Sequence, residues 1–98
     1  MANFRSESID KLFSVILKLE NVDDCYNFFE DVCTIKEIQD MAQRLEVAIS
    51  LDNGQNYQEI AKNTSVSTAT ISRVSKCLNY GSGGYKRAIE QLKNNEAK

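Results

Sequence analysis

The chain contains no histidine and no proline, and only four glycines in 98 residues. Without histidine it cannot assemble a Ser-His or Cys-His nucleophile or a His-ligated metal. Without proline, and with so few glycines, it keeps long uninterrupted segments that favour helices. Its three cysteines, Cys25, Cys33 and Cys77, form no CxxC pair, so neither a zinc site nor a redox dithiol is expected. An odd cysteine count also argues against a secreted disulfide scaffold. Residues 1–11 are polar and of mixed charge, with no apolar signal core, and no later stretch is long enough to span a bilayer. The expected setting is the reducing cytoplasm.

A chain of this length is expected to be one domain, residues 1–98. Such a domain buries only about two-thirds of its unfolded surface, so a partner chain would help it. Net charge is only −2, but it is unevenly placed. Residues 1–54 hold five Lys/Arg and eleven Asp/Glu, a net of −6, while residues 55–98 hold seven and three, a net of +4. The basic part runs through Lys62, Arg73, Lys76, Lys86, Arg87 and Lys93. Such a chain can meet a polyanion with its basic half; two solvated surfaces of accidental sign would read the same way.

Helical spacing dominates. Ile9, Leu12, Phe13, Ile16 and Leu17 predict a first helix over about 8–19, capped by Ser6 or Ser8. Tyr26, Phe28, Phe29 and Val32 predict a second, with its aromatics on a buried face. Thr34-Ile35-Lys36-Glu37 reads as a capping box opening a third helix. Its apolar stripe is Ile38, Met41, Ala42, Leu45 and Ile49, and Asn53-Gly54 ends it. Asn56 with Glu59 opens a short helix to about residue 63, Ser67 caps another to about 78, and Gly81-Ser82-Gly83-Gly84 breaks the chain. Tyr85, Ala88, Ile89 and Leu92 form a last helix that frays over 94–98. No segment alternates like a strand. The expected fold is all-α, with about six helices.

The segment from about 57 to 78 has the pattern of a helix-turn-helix. Ile60 and Ala61 fill the first helix, Val66 plugs the turn, and Ile71 and Val74 fill the second, with Ala61 as the small residue where the helices cross. Ser65 stands where a turn glycine is usual and tolerates positive φ less well. With Ile71 and Val74 inward, Ser67, Thr68, Ala69, Ser72, Arg73 and Lys76 point outward. Short hydroxyls and a methyl group let a helix approach base edges closely. Arg73 and Lys76 can reach phosphates or guanine N7 and O6. These six are the candidate DNA-binding residues. A polar hairpin with a solvated Ser/Thr face is the plain alternative.

At these residues the sequence resembles the Trp repressor family. Ala69-Thr70-Ile71-Ser72-Arg73 looks like the core of that family's recognition helix, and the likeness extends back through Arg44 and Thr34, covering about residues 30–80. The run from Cys33-Thr34-Ile35-Lys36-Glu37 to Lys76-Cys77-Leu78-Asn79-Tyr80-Gly81 is more similar still to the YerC/YecD group of Trp-repressor-related bacterial proteins. The resemblance implies an intertwined all-α homodimer with two recognition helices. Crowding of Phe4, Phe13, Tyr26, Phe28 and Phe29 into the first thirty positions fits a dimer, and fits a monomer core as well.

The resemblance also implies a ligand pocket. Thr34, Arg44 and Arg73 match a threonine and two arginines that bound the corepressor in the Trp repressor. Two neighbours depart from the pattern: Val74 replaces a glycine and Cys77 a serine. Val74 adds bulk where a flat ring would enter, and Cys77 suits core or pocket wall. The arginines have a structural reading too, Arg44 pairing with Asp40 or Asp52. No cofactor is therefore expected: L-tryptophan is doubtful, and the chain either works without a ligand or uses another, unknown effector. The Gly81–Gly84 stretch lacks a P-loop ending, and the Asp23-Asp24 and Glu30-Asp31 pairs match no EF-hand, so no metal is expected. The function these readings favour is a sequence-specific DNA-binding regulator, a repressor on a near-palindromic operator. A helix-turn-helix scaffold used to bind protein is the alternative; an enzyme has no support in the residues present.

Overall fold

The computed structural model describes residues 4–96. Six helices follow one another, with no strand among the described residues: α1 Glu7–Ile16, α2 Val22–Val32, α3 Ile35–Asp52, α4 Tyr57–Thr64, α5 Thr68–Tyr80 and α6 Gly84–Glu96. The all-α architecture expected from the sequence is the one observed. Residues 1–38 and 39–98 form two compact units.

In the first unit, local signals set the helices. The Ser6 hydroxyl accepts from the Ile9 N–H at 3.2 Å, and the Asn21 side chain accepts from the Asp24 N–H at 2.8 Å, so each start has its N-cap. Helix α1 ends three residues earlier than its apolar pattern suggests. Lys18 and Leu19 donate to Val15 and Ile16, three residues back, so the chain tightens and leaves the helix. Phe28 and Phe29 meet edge to face, with ring centroids 5.3 Å apart. The expectation of a buried aromatic face on α2 is not met within the chain. Neither α1 nor α2 buries a residue, and Tyr26 is 67% exposed.

The second unit holds the core. Val47, Ala48, Ile60, Val66, Ile71, Val74, Leu78 and Ile89 are its buried residues, all apolar. Helix α5 packs against both α4 and α6. The stripe expected on α3 is displaced. Val47 and Ala48 are fully buried, whereas Met41 and Ala42 are exposed and Leu45 and Ile49 half-buried. The helix therefore turns a different edge toward α4 and α5 than its own periodicity indicates. The Thr34 and Glu37 capping box is present, at 3.1 and 2.8 Å. Gly54 closes the helix at φ +85°, as its position in Asn53-Gly54 implied.

Helix α6 begins at Gly84 and stays helical through Glu96, so fraying does not begin at 94; residues 97–98 lie outside the described residues. Its Lys93 reaches Asp52 at the end of α3, at 2.8 Å, and this contact raises the Lys93 pKa. Gly81, which ends α5, has backbone reasons for its identity. A Cβ there would overlap the Cys77 carbonyl that accepts the Gly81 N–H.

Candidate nucleic-acid interface

Two capped helices and a tight turn build the site. Asn56 and Glu59 form a full capping box at the start of α4: the Glu59 N–H donates to the Asn56 side chain at 2.9 Å and the Asn56 N–H to the Glu59 carboxylate at 3.2 Å. At the other end the Thr64 hydroxyl donates to the Ile60 carbonyl at 2.6 Å. Ser65 then adopts the left-handed conformation, φ 59° and ψ 20°, and its N–H donates to Ala61 at 3.0 Å. The chain reverses there, and Val66 turns inward beneath the turn, 8% exposed.

Ser67 restarts the helix. Its hydroxyl accepts from the Thr70 N–H at 3.2 Å and lies 3.1 Å from the Thr70 hydroxyl. Along α5, Ile71, Val74 and Leu78 are buried, three and four residues apart on one face. Ser67, Thr68, Ala69, Ser72, Arg73 and Lys76 are all exposed. All five apolar helix-turn-helix positions behave as their offsets require: Ile60, Val66, Ile71 and Val74 are buried, and Ala61 packs half-buried against them. The exposed side of α5 thus carries short side chains toward its start and two cations toward its middle.

The residues matched to a corepressor pocket are placed as follows. Thr34 belongs to the first unit, where it caps α3. Val74 is 2% exposed and part of the core cluster. Cys77 is exposed, which removes the core reading for it. Arg73 is exposed on the outer side of α5. Arg44 pairs with neither Asp40 nor Asp52: Asp52 is taken by Lys93, and Arg44 has no ion-pair partner among the described residues. It instead lines a cleft of about 290 Å³ between α3 and the turn, shared with Asp40, Gln43, Ser65, Val66, Ser67 and Thr70. Arg73, Val74 and Cys77 do not line it.

Two features escape the sequence. Gln43 donates to the Thr64 carbonyl at 3.3 Å across twenty-one residues, and Lys93 pairs with Asp52 across forty-one. No local spacing signals either contact.

The sequence profile of the Trp repressor protein family matches residues 7–93. The chain belongs to the Trp repressor family. It is 51% identical over 92 residues to the uncharacterized protein YerC of Bacillus subtilis (strain 168), covering 94% of this chain and 88% of that protein. A crystal structure of a TrpR-like protein from Eubacterium eligens superposes at a TM-score of 0.87 with 49% identity, covering 91% of this chain and 92% of the other. A proposed Trp repressor from Staphylococcus aureus gives 0.86 with 43% identity, covering 91% and 89%. The Trp repressor family is one of DNA-binding regulators and not of enzymes, and this chain has the fold of such a regulator. Among the described residues no helix is long and apolar enough to cross a membrane.

Proposed function

We propose that the chain acts throughout its length as one Trp-repressor-like DNA-binding domain, a cytoplasmic transcriptional repressor that occupies a near-palindromic operator as a homodimer. The observation that carries the reading is the sidedness of α5. Ile71, Val74 and Leu78 anchor it, which leaves Thr68, Ala69, Ser72, Arg73 and Lys76 together on the exposed side. Short side chains permit close approach to the major groove, where Thr and Ala methyls meet thymine methyls and hydroxyls meet base edges. Arg73 and Lys76 supply charge for phosphates or guanine.

The homodimer is supported by the first unit. Leu17, Val22, Tyr26 and Val32 are each more than half exposed in the single chain. Large apolar side chains left this exposed suit burial against a second copy of the chain. Two-fold pairing would set two recognition helices about one DNA turn, roughly 34 Å, apart. Burial of Val74 favours a regulator that does not take L-tryptophan, since the side chain fills with core the space a glycine would leave open. The test is selection of bound fragments from the host genome, followed by sequencing. Enrichment of a motif with two inverted half-sites supports the proposal. A folded protein that retains no fragment at low salt contradicts it and leaves protein binding as the use of the scaffold.

A further inference from the structure

The cleft between α3 and the helix-turn-helix turn contains a charge that the fold itself does not use. Arg44 is exposed, lines the cleft, and has no ion-pair partner among the described residues. Gln43, Ser65, Ser67 and Thr70 line the cleft as well, the Gln43 amide donating to the Thr64 carbonyl and the Ser67 hydroxyl lying 3.1 Å from that of Thr70. A guanidinium with several small hydrogen-bonding groups suits an oxyanion, because its planar fork matches two phosphate oxygens at once. The same lining is poorly suited to a flat apolar ring, which asks for apolar walls. Ser67 belongs both to the cleft wall and to the exposed side of α5. A duplex lying along that side therefore passes the mouth of the cleft. Asp40 also lines it and opposes an anion there, although its carboxylate is not free.

We propose that this cleft seats an oxyanion, a backbone phosphate of the bound duplex, and that Arg44 supplies the charge that holds it. Helix α3 then touches DNA as well as the recognition helix. The inference rests on the DNA-binding reading given above. It changes what Arg44 does: the residue grips the DNA backbone and is not a wall of a corepressor pocket.

The test is the affinity of the full chain for a genomic fragment it retains, measured by fluorescence anisotropy from low to moderate salt. Arg44→Ala should weaken binding several-fold to every sequence. It should also reduce the log–log salt slope by about 0.9, the loss expected for one phosphate contact. Arg44→Lys should keep the slope, and Asp40→Asn should tighten binding. Thermal melting of the two Arg44 variants should match the wild type, since Arg44 is exposed and has no ion-pair partner among the described residues. An unchanged slope for Arg44→Ala, with wild-type DNA binding intact, overturns this proposal alone. A wild type that binds no DNA overturns the reading beneath it as well. A second arm titrates inorganic phosphate into the DNA-free protein at constant ionic strength. Saturable binding that Arg44→Ala abolishes, with the DNA salt slope unaffected, would assign the cleft to a free anion and overturn the duplex assignment.

Discussion

The Gln43 side-chain amide, midway along α3, donates to the backbone carbonyl of Thr64, the last residue of α4, at 3.3 Å. The next residue, Ser65, holds the left-handed conformation that reverses the chain. Helix α3 thus supports the turn of the helix-turn-helix from outside that motif. The turn is braced by a residue fourteen positions before α4 begins.

Ser65 is the only non-glycine residue with positive φ among those described. An L side chain there costs about 1–2 kcal/mol, partly offset by the extra chain freedom a glycine would lose on folding. Ser65→Gly is therefore expected to stabilise the protein by about 0.5–1 kcal/mol, read as a rise in the denaturation midpoint. A fall in the midpoint would show that the serine side chain holds the turn.

Val74 predicts the response to L-tryptophan. Isothermal titration should show no saturable binding to the wild type at micromolar ligand, because the side chain at the matched position is core. Val74→Gly is expected to cost stability by about 2–4 kcal/mol, from a cavity and a helical glycine, and to gain binding if this residue alone closes the pocket. Micromolar binding by the wild type would contradict the argument. A helical spectrum for the variant establishes that it has folded.

Much of this fold can be read from the sequence, and the reason is local. Capping pairs such as Thr34 with Glu37 and Asn56 with Glu59 are three residues apart, so one short window contains both partners. The helix-turn-helix core is equally local: Ile60 to Val74 spans fifteen residues and sets its own offsets. What could not be read depends on packing between distant segments. The buried edge of α3 is Val47 and Ala48 because α4 and α5 lie there, not because of α3's own periodicity. Tyr26 and Val32 are apolar but exposed within one chain, which a sequence cannot distinguish from a buried stripe. The cleft at Arg44 joins α3 to a turn twenty residues later, so its arginine could be matched to a family position but not to its actual neighbours.

The Lys93–Asp52 pair joins α6 to the end of α3 and raises the Lys93 pKa, through the hydrogen bond first and the Asp52 charge second. A lysine raised in the folded state contributes stability that is fully present below its unfolded pKa, near 10.5, and is lost as pH climbs through the folded value. Lys93→Gln should therefore flatten the alkaline part of the stability profile above about pH 10.5, with only a small change at pH 7, because the ammonium is solvent-exposed. An unaltered alkaline limb would show that the pair contributes nothing in solution.

Tyr26 and Val22 are 67% and 68% exposed in the single chain. At such sites a monomer tolerates a polar substitution within about 0.5 kcal/mol. If these residues meet a second copy, Val22→Asp and Tyr26→Asp should lower both stability and mass. Light scattering of the wild type at micromolar concentration should give twice the chain mass of 11.1 kDa, and the variants less. A wild type of single-chain mass would contradict the homodimer.

The exposed face of α5 is the surface proposed to read DNA. The decisive measurement is the salt-dependent affinity of Lys76→Ala and Thr68→Ala for a retained genomic fragment and for a scrambled one. Lys76→Ala should weaken binding to both and reduce the salt slope by about one unit, while Thr68→Ala should shift the preferred site with the slope kept. Wild-type affinity, slope and preference in both variants would show that this face does not touch DNA.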